Sequence, residues 1–182
     1  MRTLAWMMIV ACLSACSDPG PRGRTAPQPF TEFAVLTAEQ SACLFDCPAF
    51  EVKVFSDGRV LHSGPTFEHS GGPHESRIDR RGLESIAQAL RDVRFYEMRD
   101  RYVEGDGCKG TVTDMSTLSF SVSRGGGHDK SVVFYSGCID PTAPIDRINA
   151  LIKAIDRVTG TTSLLEQRKK LVPKECLYGC ES

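Results

Sequence analysis

The sequence predicts an α+β fold: an antiparallel β-sheet built from hairpins, with two main helices packed on one face and disulfides as staples. Apolar residues alternate with polar ones over 50–63 and again over 116–138, which indicates two hairpins. Apolar residues recur at three- and four-residue steps over 79–93 and 140–160, which indicates two helices. Because strands and helices come in separate blocks, helices covering one face of an antiparallel sheet are the natural packing.

The first hairpin is the strongest local signal. Apolar and charged residues alternate over 50–54, and the dipeptide Asp57-Gly58 favours a two-residue type I′ turn. The chain then returns as a partner strand over 59–63. Segments 30–39 and 75–80 are predicted to add one strand each to this hairpin.

The two helices have recognisable ends. Asp79 is a candidate N-cap for the first, and Pro144 suits the first turn of the second, which Gly160 ends. The segment 163–171 predicts a short third helix. The apolar stripes are Leu83, Ile86, Ala87, Leu90 and Val93 in the first helix, and Ile145, Ile148, Ile152 and Ile155 in the second.

The N-terminal segment 1–15 has the pattern of a bacterial lipoprotein signal peptide. Arg2 is followed by an apolar run that is too short to span a bilayer. The stretch Leu13-Ser14-Ala15-Cys16 resembles a lipobox, in which the cysteine is acylated and becomes the first mature residue. Acylated Cys16 would anchor the chain stably in a lipid bilayer. Ser17 at the second mature position favours the outer membrane over the inner one, with the domain facing the periplasm.

Three further regions are predicted after the leader. Residues 16–30 are rich in proline and glycine and form a tether. Residues 31–160 form the α+β domain, and residues 161–182 form a tail with a short helix and a Cys-x-x-x-Cys motif. The 22 basic and 23 acidic residues give no basic excess, so nucleic acid is not an expected partner.

The cysteines predict disulfides. Eight are present, and six remain once Cys12 is cleaved off and Cys16 is acylated. An even number in an exported chain is typical of disulfide pairing. Cys108 and Cys138 flank two strands of one predicted hairpin, which brings them within bonding distance, so we pair them. The local pairs Cys43–Cys47 and Cys176–Cys180 follow by default.

Three alternatives for the cysteines stay open. A crossed pattern would tie the C-terminal pair to the 43–47 loop. A redox role is disfavoured because the spacing is longer than Cys-x-x-Cys and a strand, not a helix, follows. Two Cys-x-x-x-Cys pairs could also provide four thiolates for zinc, but an oxidising compartment favours disulfides. We therefore expect no metal and no cofactor.

The chain resembles a bacterial family of small exported domains catalogued as domain of unknown function family 6438. The resemblance spans about Phe33 to Val158. It rests on Cys43-x-x-x-Cys47-Pro48, the hairpin FEVKVFSDGRV, the DRY before a loop, Cys108 with Thr113-Asp114, and the GC that ends the second hairpin at Cys138. It implies the fold and an envelope address, since members are commonly lipoproteins, but it implies no activity or catalytic residue.

Few residues are candidates for chemistry, and none is assigned a catalytic role. His69 and His74 flank a glycine-rich loop where a ligand or metal could gather, and Asp114 lies in an aspartate-rich loop near Cys108. We expect Asp114 to cap backbone amides at the start of a strand. His62 is expected on a strand as a cross-strand neighbour of Glu51 or Lys53.

Two hypotheses of function follow from these observations. The favoured one is a cell-envelope lipoprotein whose domain is a non-catalytic binding or scaffolding module, with another envelope protein as its partner. The alternative is an envelope hydrolase or metal-dependent enzyme that uses the His69–His74 loop or the aspartate-rich loop near Cys108. The second hypothesis requires those side chains to converge on one pocket.

Overall fold

One mixed sheet is the centre of the molecule. The computed structural model describes residues 30–44, 47–125 and 129–171. Its strands are β1 Val35–Gln40, β2 Phe50–Phe55, β3 Arg59–Ser63, β4 His74–Arg77, β5 Arg101–Glu104, β6 Gly107–Cys108, β7 Thr117–Ser123 and β8 Lys130–Tyr135. Their order across the sheet is β4-β3-β2-β1-β7-β8-β5-β6. The α+β class predicted from the sequence is confirmed.

The strands from β4 to β8 in this order are antiparallel, as predicted. Strand β5 is different, because it pairs with β8 in parallel, and the two-residue edge strand β6 pairs with β5 in parallel as well. This pairing was not predicted. Strand β5 comes soon after a 3-10 helix, Phe95–Glu97. The four residues of β5 show too little alternation of apolar and polar side chains to indicate a strand.

The sheet has one buried face and one open face. Leu36 of β1 pairs with Val54 of β2 on one side and with Val122 of β7 on the other, so the three side chains share a face. The same alternation holds along every central strand. The buried residues of this face are Leu36, Ala38, Val52, Val54, Val60, His62, Leu118, Phe120, Val122, Val132 and Phe134.

The helices cover the buried face. They are α1 Pro65–Glu68, α2 Arg80–Asp92, α3 Ile145–Thr159 and α4 Thr161–Lys169. The Asp79 side chain accepts a hydrogen bond from the Gly82 amide at 2.9 Å, which confirms the predicted cap of α2. Gly160 is left-handed and separates α3 from α4. In the described ranges no helix has the length and apolar character of a membrane span.

The turn of the first hairpin is not the predicted type I′ turn. Three residues, Ser56 to Gly58, lie between β2 and β3, and only Gly58 has a positive φ, of 84°. The Gly58 amide donates to the Phe55 carbonyl at 2.9 Å, as in a type I turn that ends in a left-handed glycine. The additional loop residue shifts the pairing of the strands by one position, so His62 lies opposite Val52.

This shift moves His62 to the other face of the sheet. The expected pairing with Glu51 or Lys53 is wrong, because a one-residue change of register exchanges the two faces of a strand. His62 is fully buried beneath the helices, whereas Glu51 and Lys53 form an ion pair at 2.8 Å on the open face.

Two disulfides lie in the described ranges. Cys43 bonds to Cys47, and Cys108 bonds to Cys138, as paired from the sequence. Their presence is incompatible with the crossed alternative and removes two of the four thiolates that a zinc site would need. The predicted pair Cys176–Cys180, the leader, Cys16 and almost all of the tether lie outside the described residues.

Replacing both Cys108 and Cys138 by alanine should lower the free energy of unfolding by about 3–4 kcal/mol, because the bond closes a loop with a sequence separation of 30. The Cys43→Ala, Cys47→Ala pair is the matched control. The sequence separation of Cys43 and Cys47 is only 4, and the same loop-closure relation gives a loss of about 2 kcal/mol in the free energy of unfolding when this bond is removed. Urea unfolding of both double variants measures the difference. Equal losses would show that loop closure does not govern the contribution of the long-range bond.

Candidate functional site

The predicted histidine site is not assembled. His69 is exposed at the end of α1, where its Nδ1 lies 2.7 Å from the Pro65 carbonyl oxygen. His74 is the first residue of β4 and lies opposite His62. Within residues 30–44, 47–125 and 129–171, no three histidine, cysteine, aspartate or glutamate side chains are grouped so that they could hold a metal ion.

The aspartates near Cys108 also do not converge. Asp100 pairs with Lys130, while Asp106 pairs with Arg99 at 3.1 Å and with Arg101 at 3.3 Å. Asp114 is exposed and has a left-handed backbone with φ of 65°. Each carboxylate that the alternative hypothesis required is therefore engaged separately or faces solvent.

Asp114 contributes through its backbone and not through the expected amide cap. Its carbonyl oxygen accepts a hydrogen bond from the Leu44 amide at 3.2 Å, and within the described residues its carboxylate accepts one hydrogen bond, from the Thr113 hydroxyl at 3.1 Å. The carboxylate that does cap amides here is Asp140. It accepts from the Lys109 amide at 3.0 Å, from the Thr142 amide at 2.8 Å and from the Thr142 hydroxyl at 2.7 Å.

The Asp140 carboxylate is held ionised by these donors. The Thr142 hydroxyl, and then the Thr142 and Lys109 amides, lower the pKa of Asp140 below its ordinary value. Asp140 thereby fastens the segment after Cys138 to the segment after Cys108. Sequence reasoning did not single it out, although the spacing Asp140-Pro-Thr142 is a usual local motif for such bonds.

His62 is a buried polar residue between the sheet and α4. Its Nε2 lies 3.0 Å from the Thr161 hydroxyl, and Thr161 also bonds to Thr159 at 2.7 Å. Among the described residues its Nδ1 has no hydrogen-bond partner. The His62 ring packs 5.7 Å from that of Phe67 and 6.0 Å from that of His74.

This environment favours the neutral imidazole. Burial, and to a smaller extent the charge of the nearby His74, lower the pKa of His62 to about 4, while the backbone of His74 acts in the opposite direction. Arg168 of α4 lies over the ring of Phe67, with its guanidinium carbon 5.8 Å from the ring centroid. The charge on that side is therefore positive and does not stabilise a protonated His62. His62 is thus a structural residue, and its protonation lowers the stability of the folded state.

Exposed apolar side chains gather at one end of the sheet. Leu44 is 66% exposed and Ile139 is 62% exposed, and Val112 and Met115 are also exposed. We call these four residues the apolar tip. They come from three loops: the loop after β1, the loop between β6 and β7, and the turn after β8. The only sequence signal was that each lies outside the periodic apolar patterns, in a segment predicted to be loop or turn.

The loops of the apolar tip are fastened to one another. The Val112 amide donates to the Gly137 carbonyl at 2.8 Å, and the Ile139 amide donates to the Gly110 carbonyl at 2.9 Å, which aligns the two segments as a short antiparallel pair. The Tyr135 hydroxyl donates to the Val112 carbonyl at 2.9 Å and accepts from the Met115 amide at 3.1 Å. The tip is therefore a fixed surface.

Gly137 is the closest point of contact beneath the tip. A Cβ on this residue would lie 2.3 Å from the Val112 carbonyl oxygen and 2.6 Å from the Tyr135 ring. Glycine is required because real side chains do not approach backbone that closely. The close approach lets the loop between β6 and β7 fold over the end of β8 and presents Val112 and Met115 outward.

Other surfaces are open depressions, of about 590 Å³ between α2 and α3 and of about 300 Å³ beside Val35 and Lys130. The open face of the central strands mixes hydroxyl residues with half-buried apolar ones: Thr37, Ser119, Ser121, Ser123 and Ser131 with Val35, Phe55, Leu61 and Val133. An apolar cavity of about 50 Å³ lies between the sheet and the junction of α3 and α4, lined in part by Phe50, Leu118 and Ile152. It is several-fold smaller than the roughly 300 Å³ at which small-molecule pockets begin.

Comparison with known proteins identifies one family. The model of the family described as Domain of unknown function (DUF6438) matches residues 34–159, which is more than half of the 182-residue chain. The match includes β1 through α3 and all four residues of the apolar tip. A search of curated proteins gave no match.

The stability of the protein should fall as the pH falls from about 6.5 towards about 4. The unfolded chain takes up a proton on His62 near its ordinary pKa of 6.5, whereas the folded chain does so only near 4, so the folded state binds fewer protons in this window. The loss is on the order of 3 kcal/mol. A His62→Leu variant, in which Thr161 keeps Thr159 as its partner, should show a flatter dependence in urea unfolding at a series of pH values. An unchanged slope would contradict the assignment.

A Gly137→Ala variant should be destabilised by about 1–3 kcal/mol, because its Cβ would force the backbone of Val112 and the Tyr135 ring apart. Gly110→Ala is the control in the same pair of segments. Its Cβ would meet only the flexible Ile139 side chain, at 3.1 Å. Thermal and urea unfolding measure both variants, and a Gly137→Ala protein as stable as the control would refute the close approach.

Proposed function

Because this chain belongs to the DUF6438 family, whose description names no activity, we propose a function from its own residues: an exported, lipid-anchored binding module of the bacterial cell envelope. The domain acts by contact with a partner and carries out no reaction of its own. The observation that carries the proposal is the apolar tip, whose two most prominent side chains are more than 60% exposed on fastened loops.

The address is supported by the leader and by the disulfides. Residues 1–15 have the pattern of a lipoprotein signal, and Cys16 follows the small residues that a lipobox requires. Two disulfides within the folded domain fit an oxidising compartment such as the periplasm. Acylation at Cys16 and a periplasm-facing domain, with the outer membrane favoured, are part of the proposal.

The binding role is supported by the cost of exposing apolar side chains. Because Leu44 is 66% exposed and Ile139 is 62% exposed, burying the remainder of each side chain would gain about 1–2 kcal/mol, and no described part of the chain covers them. Both are held in place by backbone hydrogen bonds, so little conformational entropy is lost when a partner covers them. Fixed, exposed apolar groups of this kind are typical of interaction surfaces.

Acylation is tested by mass spectrometry of the membrane-extracted protein. The expected mature chain begins at Cys16 and carries two or three acyl chains, and the Cys16→Ser variant should lose both the lipid and firm membrane association. Cys12→Ser is the control, since Cys12 lies within the segment that is removed and its replacement should change neither. A mature chain with an unmodified N-terminus would overturn the lipid-anchored part of the proposal.

A further inference from the structure

We propose that the apolar tip docks into a concave apolar pocket of a partner protein, on the side of the domain that faces away from the membrane anchor. This inference rests on the proposed function, because the anchor determines which way the tip faces. It adds the surface, the orientation and the chemistry of the partner. The class of molecule that binds the tip is inferred from the shape of the tip, from the point where the N-terminal segment joins the domain, and from the charges on the loops of the tip.

The shape of the tip calls for a concave partner. Leu44 and Ile139 are the most exposed, at 66% and 62%, and Val112 and Met115 are less exposed, at 47% and 38%. Protruding aliphatic side chains are best buried in a pocket that closes around them. In a two-fold dimer a second copy of this chain would offer only the same protruding tip, and two such surfaces are not self-complementary as that interface requires.

The tip is rigid enough to act as a preformed ligand. Leu44 lies within the Cys43–Cys47 disulfide loop, and its amide bonds to the Asp114 carbonyl. Ile139 follows Cys138, whose disulfide to Cys108 fixes the other loop of the tip. Covalent and hydrogen-bonded bracing of this kind reduces the entropy cost of binding.

The anchor segment joins the domain at the opposite end. Strand β1 runs from Val35 to Gln40, and its last residue leads directly into the loop that carries Leu44. At its start, the Ala34 amide donates to the Ser123 carbonyl and the Ala34 carbonyl accepts from the Ser56 amide, so the first described residues lie beside the two hairpin turns. The domain therefore joins the preceding chain at the end of the sheet opposite to the tip, which leaves the tip free to face away from the bilayer.

The charges around the tip argue against a lipid surface. In the described part of its loops the exposed charged side chains are Lys109 and Asp114, and the sequence of the loop after β1 adds one more acidic residue, Asp46. Surfaces that bind anionic headgroups carry an excess of lysine and arginine, which is missing from the described part of these loops. A nearly neutral rim around an aliphatic centre fits a protein interface.

Site-specific photocrosslinking in intact cells tests the occupant. A photoreactive phenylalanine analogue is placed at Leu44 or Ile139 of the full-length, processed chain. The controls are the same substitution at Ser121 on the open face and at Lys153 on α3, both exposed. We expect both tip positions to give an adduct with the same protein and the two controls to give none.

The captured protein is then identified, produced separately and titrated with the full-length chain in detergent. The double variant Leu44→Ser, Ile139→Ser should bind it at least about tenfold more weakly, as expected when anchor side chains are removed. Leu171→Ser is the matched control, because Leu171 is 65% exposed but lies at the end of α4, and it should bind within about twofold of the original chain. Both variants change only surface residues, so their urea midpoints should remain unchanged.

Each other outcome has a definite meaning. A lipid adduct at the tip, or an adduct of twice the chain mass, would overturn the inference in favour of a membrane or a second copy. Equal affinity of the double variant and the Leu171 variant would overturn it as well. Protein adducts at Ser121 or Lys153 alone would overturn the inference while leaving a binding module in place. No protein adduct at any of the four positions would overturn both proposals.

Discussion

The position of β1 is the constraint on which the other features depend. This strand pairs with β2 on one side and β7 on the other, and through these pairings it joins two halves of the sheet that are distant in sequence. Its register sends Leu36 and Ala38 to the helices. Because a shift of one residue would exchange the faces of the strand, the same pairing decides what the helices cover and what remains open to solvent.

The apolar tip is a consequence of that central strand. The loop that leaves β1 meets the loop that enters β7, since antiparallel neighbours begin and end at the same edge. Ser41 and Thr117 exchange hydrogen bonds at this junction, with the Ser41 amide donating to the Thr117 carbonyl and the Thr117 amide donating to the Ser41 hydroxyl. The two disulfides lie at the same end. Bracing is therefore concentrated where the apolar side chains are exposed, which is the arrangement expected of a contact surface and not of a loop left free to move.

The residues that the sequence suggested for chemistry are not the ones that the fold brings together, because tertiary contacts and not sequence distance decide which side chains meet. His69 and His74, which are close in sequence, belong to no metal-binding group of three among the described residues, while His62 and Thr161, which lie 99 positions apart, are brought into contact. The misassigned hairpin turn shows the same effect locally. The Asp57-Gly58 dipeptide favours a two-residue turn, but the structure uses Ser56 as well, and that one residue places His62 in the core.

Taken alone, the sequence determined the alternating strands, the apolar stripe of α2 and part of that of α3, their ends at Asp79 and Gly160, and the two described disulfide pairs, because these depend on local periodicity, on capping and on hairpin neighbours. In α3 the fully buried Leu151 was missed, while the predicted Ile145 and Ile152 are only partly buried. Only the tertiary structure decided the turn register, the parallel pairing of β5 with β8, the burial of His62 and the gathering of three separate loops into the apolar tip. These features depend on which distant segments touch. The local sequence pattern does not indicate those contacts, because they contribute free energy only when the distant strands have paired on both sides of β1.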